Sequence, residues 1–263
     1  MDGETLARLL TPVRQIARAA GQAIVAIRKA DLCATEKADG SPLTRADTAS
    51  HQIIAEGLAA LRPRLPVVSE EGDLGAAGAQ DWASFWCVDP LDGTKEFLKG
   101  LAEYTVNIAV VEAGAPVLGV IDVPEGEAAY YAARGLGAWK VQADGEPRPI
   151  SASRCKRPKT AVVSRSHLSP QTEAFLAGLG ITDVVRRGSS LKLCAVAEGA
   201  ADVYPRHGPT CLWDSAAGAA IALEAGCRIV DLEGAPLSYD PAEGLKRPGF
   251  IVYPAACSLS AAR

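Results

Sequence analysis

The sequence contains seven cysteines but lacks the spacing that would make them a metal or redox site. No two of them form a C-x-x-C pair, which excludes a zinc knuckle and a thioredoxin-like motif. An odd number of thiols without such a pair is typical of reduced cysteines in a cytoplasmic protein.

The chain also lacks an excess of positive charge. It carries 27 Lys and Arg against 31 Asp and Glu, a formal net charge of -4. Because affinity for a phosphate backbone comes from clustered lysine and arginine, this balance argues against a protein that binds a nucleic acid polymer. An anionic small molecule must therefore be held by local cations or through metal ions.

No stretch approaches the ~20 apolar residues of a membrane-spanning helix. The first residues, MDGETLARLL, lack the basic region and apolar core of a signal peptide, and no repeat or low-complexity tract occurs. The composition, 48% hydrophobic and 22% charged, is that of a folded globular protein. We therefore expect a cytoplasmic location, and peripheral association with the inner membrane stays open.

The N-terminal part of the chain has the pattern of two amphipathic helices. Between 4 and 30, apolar residues recur at helical spacing, and four arginines fall largely off that stripe. We expect these arginines to form a solvated basic face. They are Arg8, Arg14, Arg18 and Arg28. Thr44 and Asp47 have the spacing of a capping box, which predicts a second helix that runs to about Leu61.

The remaining pattern predicts a mixed fold. Two short apolar runs, 65–72 and 84–90, have the pattern of buried strands that end in acidic residues. Three further runs, separated by A-G-A and P-E-G turns, predict an antiparallel meander. Beyond it, strand and helix patterns alternate, which implies α/β layers. We therefore expect an α/β fold with an α+β N-terminal lobe, residues 1–150, and an α/β C-terminal lobe, residues 151–263.

Acidic residues stand where these patterns change. Asp47 begins a helix, Glu70 and Asp89 end apolar strands, Asp92 follows three residues later, and Asp214 opens the helix pattern W-D-S-A-A-G. Taken alone, Asp47 and Asp214 can equally be N-caps or turn formers. An acid at the end of an apolar strand needs a partner that replaces the lost water, and the neighbouring sequence offers no cluster of basic residues.

The types of residue at these points favour a hard divalent cation. Carboxylate and carbonyl oxygens without histidine or cysteine select magnesium, manganese or calcium rather than zinc. A turn at Pro90 could aim Asp89, the Leu91 carbonyl and Asp92 at one place. Two or more such ions can polarise a phosphate, activate water and stabilise a leaving oxygen. The sequence therefore predicts a metal site at the end of the second buried strand.

Four blocks of the sequence, in order and separation, resemble the inositol monophosphatase superfamily of lithium-sensitive, magnesium-dependent phosphatases. They are T-R-A-D at 44–47, S-E-E at 69–71, D-P-L-D-G-T at 89–94 and W-D-S-A-A-G at 213–218. The match covers nearly the whole chain. The resemblance implies a layered αβαβα sugar-phosphatase fold and a site that holds about two or three Mg²⁺ ions.

The resemblance also implies roles for individual residues. The metal ligands would be Glu70, Asp89, the Leu91 carbonyl, Asp92 and Asp214. Three catalytic residues would act on the attacking water, namely Asp47, Thr94 and Glu70. In this arrangement the Asp47 carboxylate accepts a hydrogen bond from the Thr94 hydroxyl, which orients the water and helps to deprotonate it.

Within the superfamily, the second half of the chain is most similar to bacterial 3′(2′),5′-bisphosphate nucleotidases. The pieces that carry this similarity are DPLDGTKEF at 89–97, SRSH at 164–167, GSSLK at 188–192 and YPRHGPTCLWD at 204–214. A second phosphate needs cations or backbone donors beyond the metal site. The implied substrate-binding residues are Gly93, Thr94, His167, Gly188, Ser189, Ser190, Lys192, Arg206 and Asp214.

The GSSLK segment is predicted to begin a helix. There the N–H groups and hydroxyls of Gly188, Ser189 and Ser190 can meet a phosphate, and Lys192 adds charge. Other interpretations stay open, because Ser189 can simply cap the helix, Lys192 can be solvated and a loop histidine such as His167 can be exposed.

The function that the resemblance implies is hydrolysis of the 3′-phosphate of 3′-phosphoadenosine 5′-phosphate to AMP and phosphate, in sulfate assimilation and nucleotide recycling. The corresponding phosphosulfate is a further candidate substrate. Two alternatives stay open: a phosphatase of the same fold that acts on inositol monophosphate, fructose 1,6-bisphosphate or NADP, and a non-catalytic regulator that binds metal or nucleotide. We expect a monomer in preference to a homodimer.

Overall fold

The structure is a computed structural model and describes residues 1–30, 34–36, 42–72, 82–143, 145–165 and 168–259. Helices and sheets alternate in layers, and the predicted α/β fold is confirmed. No helix within these ranges is long and apolar enough to cross a membrane.

The elements are numbered in chain order. The α-helices are α1 (Gly3–Ala30), α2 (Arg45–Ala59), α3 (Thr94–Leu98), α4 (Pro170–Gly178), α5 (Leu191–Ala197) and α6 (Leu212–Glu224). The first strands are β1 (Ala34–Glu36), β2 (Pro42–Thr44), β3 (Val67–Ser69), β4 (Ser84–Asp92), β5 (Thr105–Glu112), β6 (Ala115–Val123), β7 (Ala128–Ala133), β8 (Ala138–Gln142) and β9 (Arg148–Ile150). The later strands are β10 (Thr160–Ser164), β11 (Asp183–Arg187), β12 (Tyr204–Arg206), β13 (Thr210–Cys211), β14 (Cys227–Val230), β15 (Lys246–Arg247) and β16 (Phe250–Pro254).

A seven-stranded sheet in the order β3 to β9 forms the centre of the first 150 residues. Strands β3 and β4 run parallel, and every later neighbour is antiparallel. The predicted meander is therefore present as β5 to β7. The sequence analysis missed its continuation into β8 and β9, because polar and proline-containing strands at a sheet edge lack the apolar run that marks a buried strand. We keep residue 150, where β9 ends, as the proposed lobe boundary.

Alternate residues of this sheet fill two different cores, because successive side chains of a strand point to opposite faces. Trp86 and Ile108 belong to the core under α1 and α2. Cys87 and Ile121 belong to the core formed with α5, α6 and the later strands. This second core contains residues from both sides of position 150, so the two proposed lobes share buried apolar surface.

Two glycines allow helices to lie directly on the sheet. A Cβ at Gly21 of α1 would lie 2.3 Å from Oδ2 of Asp122 on β6. A Cβ at Gly119, also on β6, would lie 2.2 Å from the carbonyl oxygen of Ala217 on α6. Both separations are far below a normal carbon–oxygen contact, so only glycine lets the backbones approach this closely. Strand β6 is therefore held between α1 and α6.

The C-terminal strands form a fourth layer beyond α5 and α6. Strand β16 pairs with β12 and β14, and β10 pairs in parallel with β11. A third core on the outer side of these strands includes Val163, Leu176 and Ile251. Helix α4 contributes Leu176 and forms the fifth layer, so the predicted αβαβα order is observed.

The structure confirms both N-terminal helices but corrects the role given to their basic residues. The Thr44 capping box is present at the start of α2. The expected solvated arginine face of α1 is wrong for Arg14 and Arg28. The Arg14 guanidinium lies 4.0 Å from the centre of the Tyr131 ring, and Nη1 of Arg28 donates to Glu125 at 2.9 Å. Arginines beside an apolar stripe pack their stems and planes on neighbouring elements.

A buried acid under α1 has a strongly shifted protonation equilibrium. Asp122 is 2% exposed, and its Oδ2 has no hydrogen-bond partner in the described part of the chain. Burial raises the pKa of Asp122 from 3.8 to about 7, although Nη1 of Arg18 lies 4.0 Å from Oδ1. Between these two pH values the folded chain holds a proton that the unfolded chain has lost. The free energy of unfolding therefore falls as the pH rises through this interval.

Replacement of Asp122 by asparagine should remove this pH dependence. Because the amide stays neutral, we expect Asp122→Asn to be more stable than the wild type by about 1 to 3 kcal/mol at pH 8, and by much less near pH 4. Denaturant unfolding of both proteins in EDTA across this pH range measures the difference. A difference that stays constant with pH would contradict the assignment.

Candidate active site

A cavity of about 330 Å³ opens where the end of β4 meets the beginnings of α5 and α6. Most of the predicted site residues line it, although they come from distant parts of the sequence. They are Glu70, Asp89, Leu91, Asp92, Gly93, Thr94, Gly188, Ser189, Ser190, Lys192, Arg206 and Asp214. Asp47 lies behind Thr94, and His167 lies outside the described residues.

The end of β4 presents its two aspartates through a break in the strand. Pairing between β4 and β5 shifts register between Asp89 and Asp92, where Pro90 cannot donate to the ladder. The hydroxyl of Ser50 donates to the Pro90 carbonyl at 2.6 Å, and the N–H of Leu91 donates to Oδ1 of Asp89 at 3.1 Å. The predicted turn at Pro90 is therefore wrong, because residues 89–92 stay within β4 and a register shift takes its place.

The acids at the end of β4 lie close to two further acids, and they differ in burial. Asp89 is 1% exposed. Burial raises its pKa well above the usual range, and the charges of Glu70, Asp92 and Asp214 raise it further. Burial and the charge of Asp214 raise the pKa of Asp92 to about 7. These carboxylates therefore lie within electrostatic reach of one another, and a cation among them would favour their ionised forms.

Hydrogen-bond donors of the protein orient Asp92 and Asp214, and they bind only one oxygen of each carboxylate. Oδ2 of Asp92 accepts from the N–H of Ser190 at 2.6 Å and from Asn107 at 3.3 Å. Oδ2 of Asp214 accepts from the Thr210 hydroxyl at 2.8 Å and from the Cys211 N–H at 3.1 Å. Among the residues that the structure describes, no donor binds Oδ1 of either carboxylate.

The chemistry of this group fits an oxygen-liganded divalent cation. Its donors are four carboxylates and one backbone carbonyl, which is the type of ligand set that Mg²⁺ prefers. Within the described ranges, no three acidic, histidine or cysteine side chains close on one point as a finished ligand set.

Asp47 and Thr94 meet as the sequence analysis expected. The Thr94 hydroxyl lies 3.3 Å from Oδ1 of Asp47 and 3.1 Å from the Leu91 carbonyl oxygen. The other Asp47 oxygen accepts from both the N–H and the hydroxyl of Thr44, at 2.8 and 2.6 Å. Asp47 is thus a helix-capping residue and a partner of Thr94 at the same time. The interpretation of Asp47 as a capping residue is confirmed, and its catalytic role stays a prediction.

The segment 188–190 differs from its predicted arrangement. Helix α5 begins only at Leu191, and Ser190 is its N-cap. The N–H of Gly188 donates to Glu103 at 2.8 Å, and that of Ser190 donates to Asp92. These two donors hold protein carboxylates, whereas the sequence analysis assigned them to a substrate phosphate.

Two basic side chains, Lys192 and Arg206, also line the cavity; we call them its basic wall and the four carboxylates its acidic wall. Lys192 is 5% exposed, and its Nζ donates to the Ser189 carbonyl. Its charge lowers the pKa of Asp92 against the effect of burial, so it supplies the cation that the neighbouring sequence did not offer. Arg206 donates to the Pro209 carbonyl at 2.8 Å, and its buried Nε has no partner within the described ranges. The interpretation of Lys192 as a solvated side chain is therefore wrong.

Sequence reasoning missed two polar residues that support the acids. Asn107 is 1% exposed and donates to Asp92, and its position within the apolar strand V-N-I-A-V was the available signal. The second is His51, whose Nδ1 lies 3.0 Å from the Ser69 hydroxyl, and this contact ties α2 to the end of the strand that precedes Glu70.

Comparisons with known proteins agree with this geometry. A model of the inositol monophosphatase family matches residues 5–250. The 3′(2′),5′-bisphosphate nucleotidases CysQ of Escherichia coli K12 and Salmonella typhimurium LT2 are 46% and 47% identical, each over 93% of this chain and 99% of the relative. The crystal structure of CysQ from Bacteroides thetaiotaomicron superposes with a TM-score of 0.81 at 41% identity, over 93% of this chain and 96% of that one. The chain belongs to the inositol monophosphatase family.

Proposed function

We propose that this protein is a metal-dependent 3′(2′),5′-bisphosphate nucleotidase. It removes the 3′-phosphate of 3′-phosphoadenosine 5′-phosphate and leaves AMP and inorganic phosphate, and it also accepts the corresponding phosphosulfate. The observation that carries the proposal is a single cavity lined both by four acidic side chains and by Lys192 and Arg206. The relatives named CysQ support the choice of substrate.

The acidic wall supplies the hydrolytic half of the site. Enzymes of this family are generally metal-dependent, and we assign Glu70, Asp89, the Leu91 carbonyl, Asp92 and Asp214 as ligands for about two or three Mg²⁺ ions. When bound, Mg²⁺ supplies Lewis acidity to the phosphate and to water, and charge neutralisation to the departing 3′-oxygen.

Asp47 and Thr94 handle a proton of the attacking water. The hydroxyl oxygen of Thr94 can accept a hydrogen bond from water while its own proton points to Oδ1 of Asp47. The bonds from Thr44 keep Asp47 in place. Hydrolysis forms one P–O bond to the water oxygen and breaks the P–O bond to the 3′-oxygen, so no covalent phosphoenzyme is needed.

The basic wall supplies the selectivity for a substrate with two phosphates. Lys192 and Arg206 line the same cavity as the acids, and a substrate with a second phosphate places an additional anion within it. Charge-assisted contacts to phosphate are roughly twice as strong as neutral hydrogen bonds. We assign Ser189 and Gly93 to the substrate-facing wall, and we keep Gly188 and Ser190 as wall residues whose N–H groups are already engaged. The assignment of His167 stays a prediction, as do the cytoplasmic location and the monomeric state.

A substrate panel tests this proposal. We expect phosphate release with Mg²⁺ to be fastest for 3′-phosphoadenosine 5′-phosphate, and slower for inositol 1-phosphate, fructose 1,6-bisphosphate and NADP. EDTA should abolish the activity and Li⁺ should reduce it. A clear preference for inositol 1-phosphate would overturn the choice of substrate, and failure with every substrate would favour a non-catalytic role.

The metal assignment generates a mutational prediction at Asp92. Asp92→Asn keeps the shape of the side chain but removes a charge, so we expect phosphate release to fall by at least about 100-fold through loss of metal. Without metal, the melting temperature should stay level or rise, because the charge of Asp214 no longer repels a neighbour. Asp183→Asn is the control, since Asp183 is exposed and does not line the cavity. Full activity of Asp92→Asn would reject the metal site.

The basic wall generates a second mutational prediction. Lys192→Met preserves most of the buried volume and removes the charge. We expect KM for the bisphosphate to rise by about tenfold or more, and KM for a monophosphate substrate to change by less than about threefold. Steady-state kinetics on both substrates provide the comparison. An equal rise of KM for both substrates would instead identify Lys192 as a countercharge to Asp92 that does not bind the second phosphate.

A further inference from the structure

The carboxylate of Glu103, a residue outside the predicted site, joins two loops beside the cavity. Glu103 lies between α3 and β5, and its Oε1 and Oε2 accept from Nη2 and Nε of Arg165, both at 2.6 Å. Its Oε2 also accepts from the N–H of Gly188 at 2.8 Å. Arg165 follows β10 and Gly188 follows β11, whereas Glu103 belongs to the first 150 residues. One side chain therefore connects both sides of the proposed lobe boundary beside the cavity.

The loop 188–190, which Glu103 holds, touches both walls of the site. The N–H of Ser190 donates to Asp92 at 2.6 Å, and the Ser190 hydroxyl lies 2.8 Å from the hydroxyl of Thr105. On the basic wall, Nζ of Lys192 donates to the Ser189 carbonyl. The position of this loop therefore determines where a proposed metal ligand and the phosphate-facing lysine lie relative to each other.

The backbone around Glu103 is tightly packed. A Cβ at Gly188 would lie 2.9 Å from the Glu103 carbonyl oxygen and 3.0 Å from the Glu103 Cβ. A Cβ at Gly93, which has a φ of 93°, would lie 2.9 Å from the same carbonyl oxygen. Glycine at both positions lets the D-G-T and G-S-S loops close on Glu103 from two sides.

We propose that Glu103 is a positioning residue for the phosphatase reaction. Its carboxylate fixes the loop 188–190 against the acidic wall, and it thereby places Lys192 for the second phosphate of the substrate. This role rests on the proposed function for its effect on catalysis, but the contact itself does not depend on the identity of the substrate.

The contact is suited to positioning and contributes little stability. The Glu103 side chain is 17% exposed and that of Arg165 is 40% exposed. Ion pairs with this much exposure contribute little to the free energy of unfolding. The hydrogen bonds from Arg165 hold the pKa of Glu103 below its usual value, so the carboxylate stays ionised at neutral pH. A loss of Glu103 should therefore change substrate binding more than it changes unfolding.

The kinetic test uses Glu103→Ala, Glu103→Gln, Arg165→Ala and the double alanine variant. We expect Glu103→Ala to raise KM for 3′-phosphoadenosine 5′-phosphate by about tenfold with a smaller change in kcat, because two charge-assisted contacts are lost. Glu103→Gln should lie between it and the wild type, because the amide oxygen can still accept from Gly188. The double variant should be no worse than Glu103→Ala, since coupled residues are not additive.

A matched control exists at the C-terminal end of α5, the helix that follows the loop 188–190. Glu198 is the C-cap residue of α5, and it pairs with Lys140 of β8 at 2.7 Å, also across the proposed lobe boundary. Glu198→Ala removes an equivalent ion pair without touching the loop 188–190, so we expect its KM to match that of the wild type. An equal rise of KM in Glu198→Ala, or an unchanged KM in both Glu103 variants, would overturn the proposal.

Amide hydrogen exchange provides a measurement that needs no substrate. Exchange across residues 186–192 should be at least several-fold faster in Glu103→Ala than in Glu198→Ala or the wild type, because Gly188 loses its acceptor. If Glu103→Ala does not fold, Glu103→Gln carries the comparison with a smaller expected increase, because Gly188 keeps an acceptor while the charged contact with Arg165 is lost. A wild-type protein that hydrolyses no bisphosphate would overturn the proposed function, whereas unchanged exchange in both Glu103 variants would overturn the role of Glu103.

Discussion

The site depends on the repulsion between carboxylates that the fold buries together. Asp89 and Asp92 end a buried strand, and Glu70 and Asp214 reach the same cavity from other elements. Folding removes water from Asp89 and Asp92, and this burial and the neighbouring carboxylate charges raise the pKa values of both. A chain selected only for stability would not keep such a cluster, because like charges that are brought together away from water destabilise the folded state.

The rest of the architecture holds these charges in place. Strand β6 lies between α1 and α6 through the close approaches at Gly21 and Gly119. This packing fixes α6, and with it Asp214, against the same sheet whose β4 strand carries Asp89 and Asp92. The protein donors to Asp92 and Asp214 then act on one oxygen of each carboxylate. The scaffold therefore limits the motion of the acids while it leaves oxygens for a ligand.

Local patterns were sufficient to predict the acidic half of the site. The capping box at Thr44 and the acid at the start of α6 each depend on residues within a few positions. The order of these blocks also carried the resemblance that the family match later confirmed. Short-range backbone geometry decides such features, so a linear sequence contains most of the information needed for them.

Longer-range contacts decided the basic half and most of the supporting residues. Lys192 could face solvent or Asp92, and Gly188 could donate to a ligand or to Glu103. The residues of each pair are separated by about a hundred positions or fewer along the chain, and they meet only after the sheet and α5 pack. The sequence by itself determined the α/β class, the family and the set of acidic residues that line the cavity. Only the tertiary structure decided which donors remain for substrate, because hydrogen-bond partners across packed layers leave no periodic signal in the sequence.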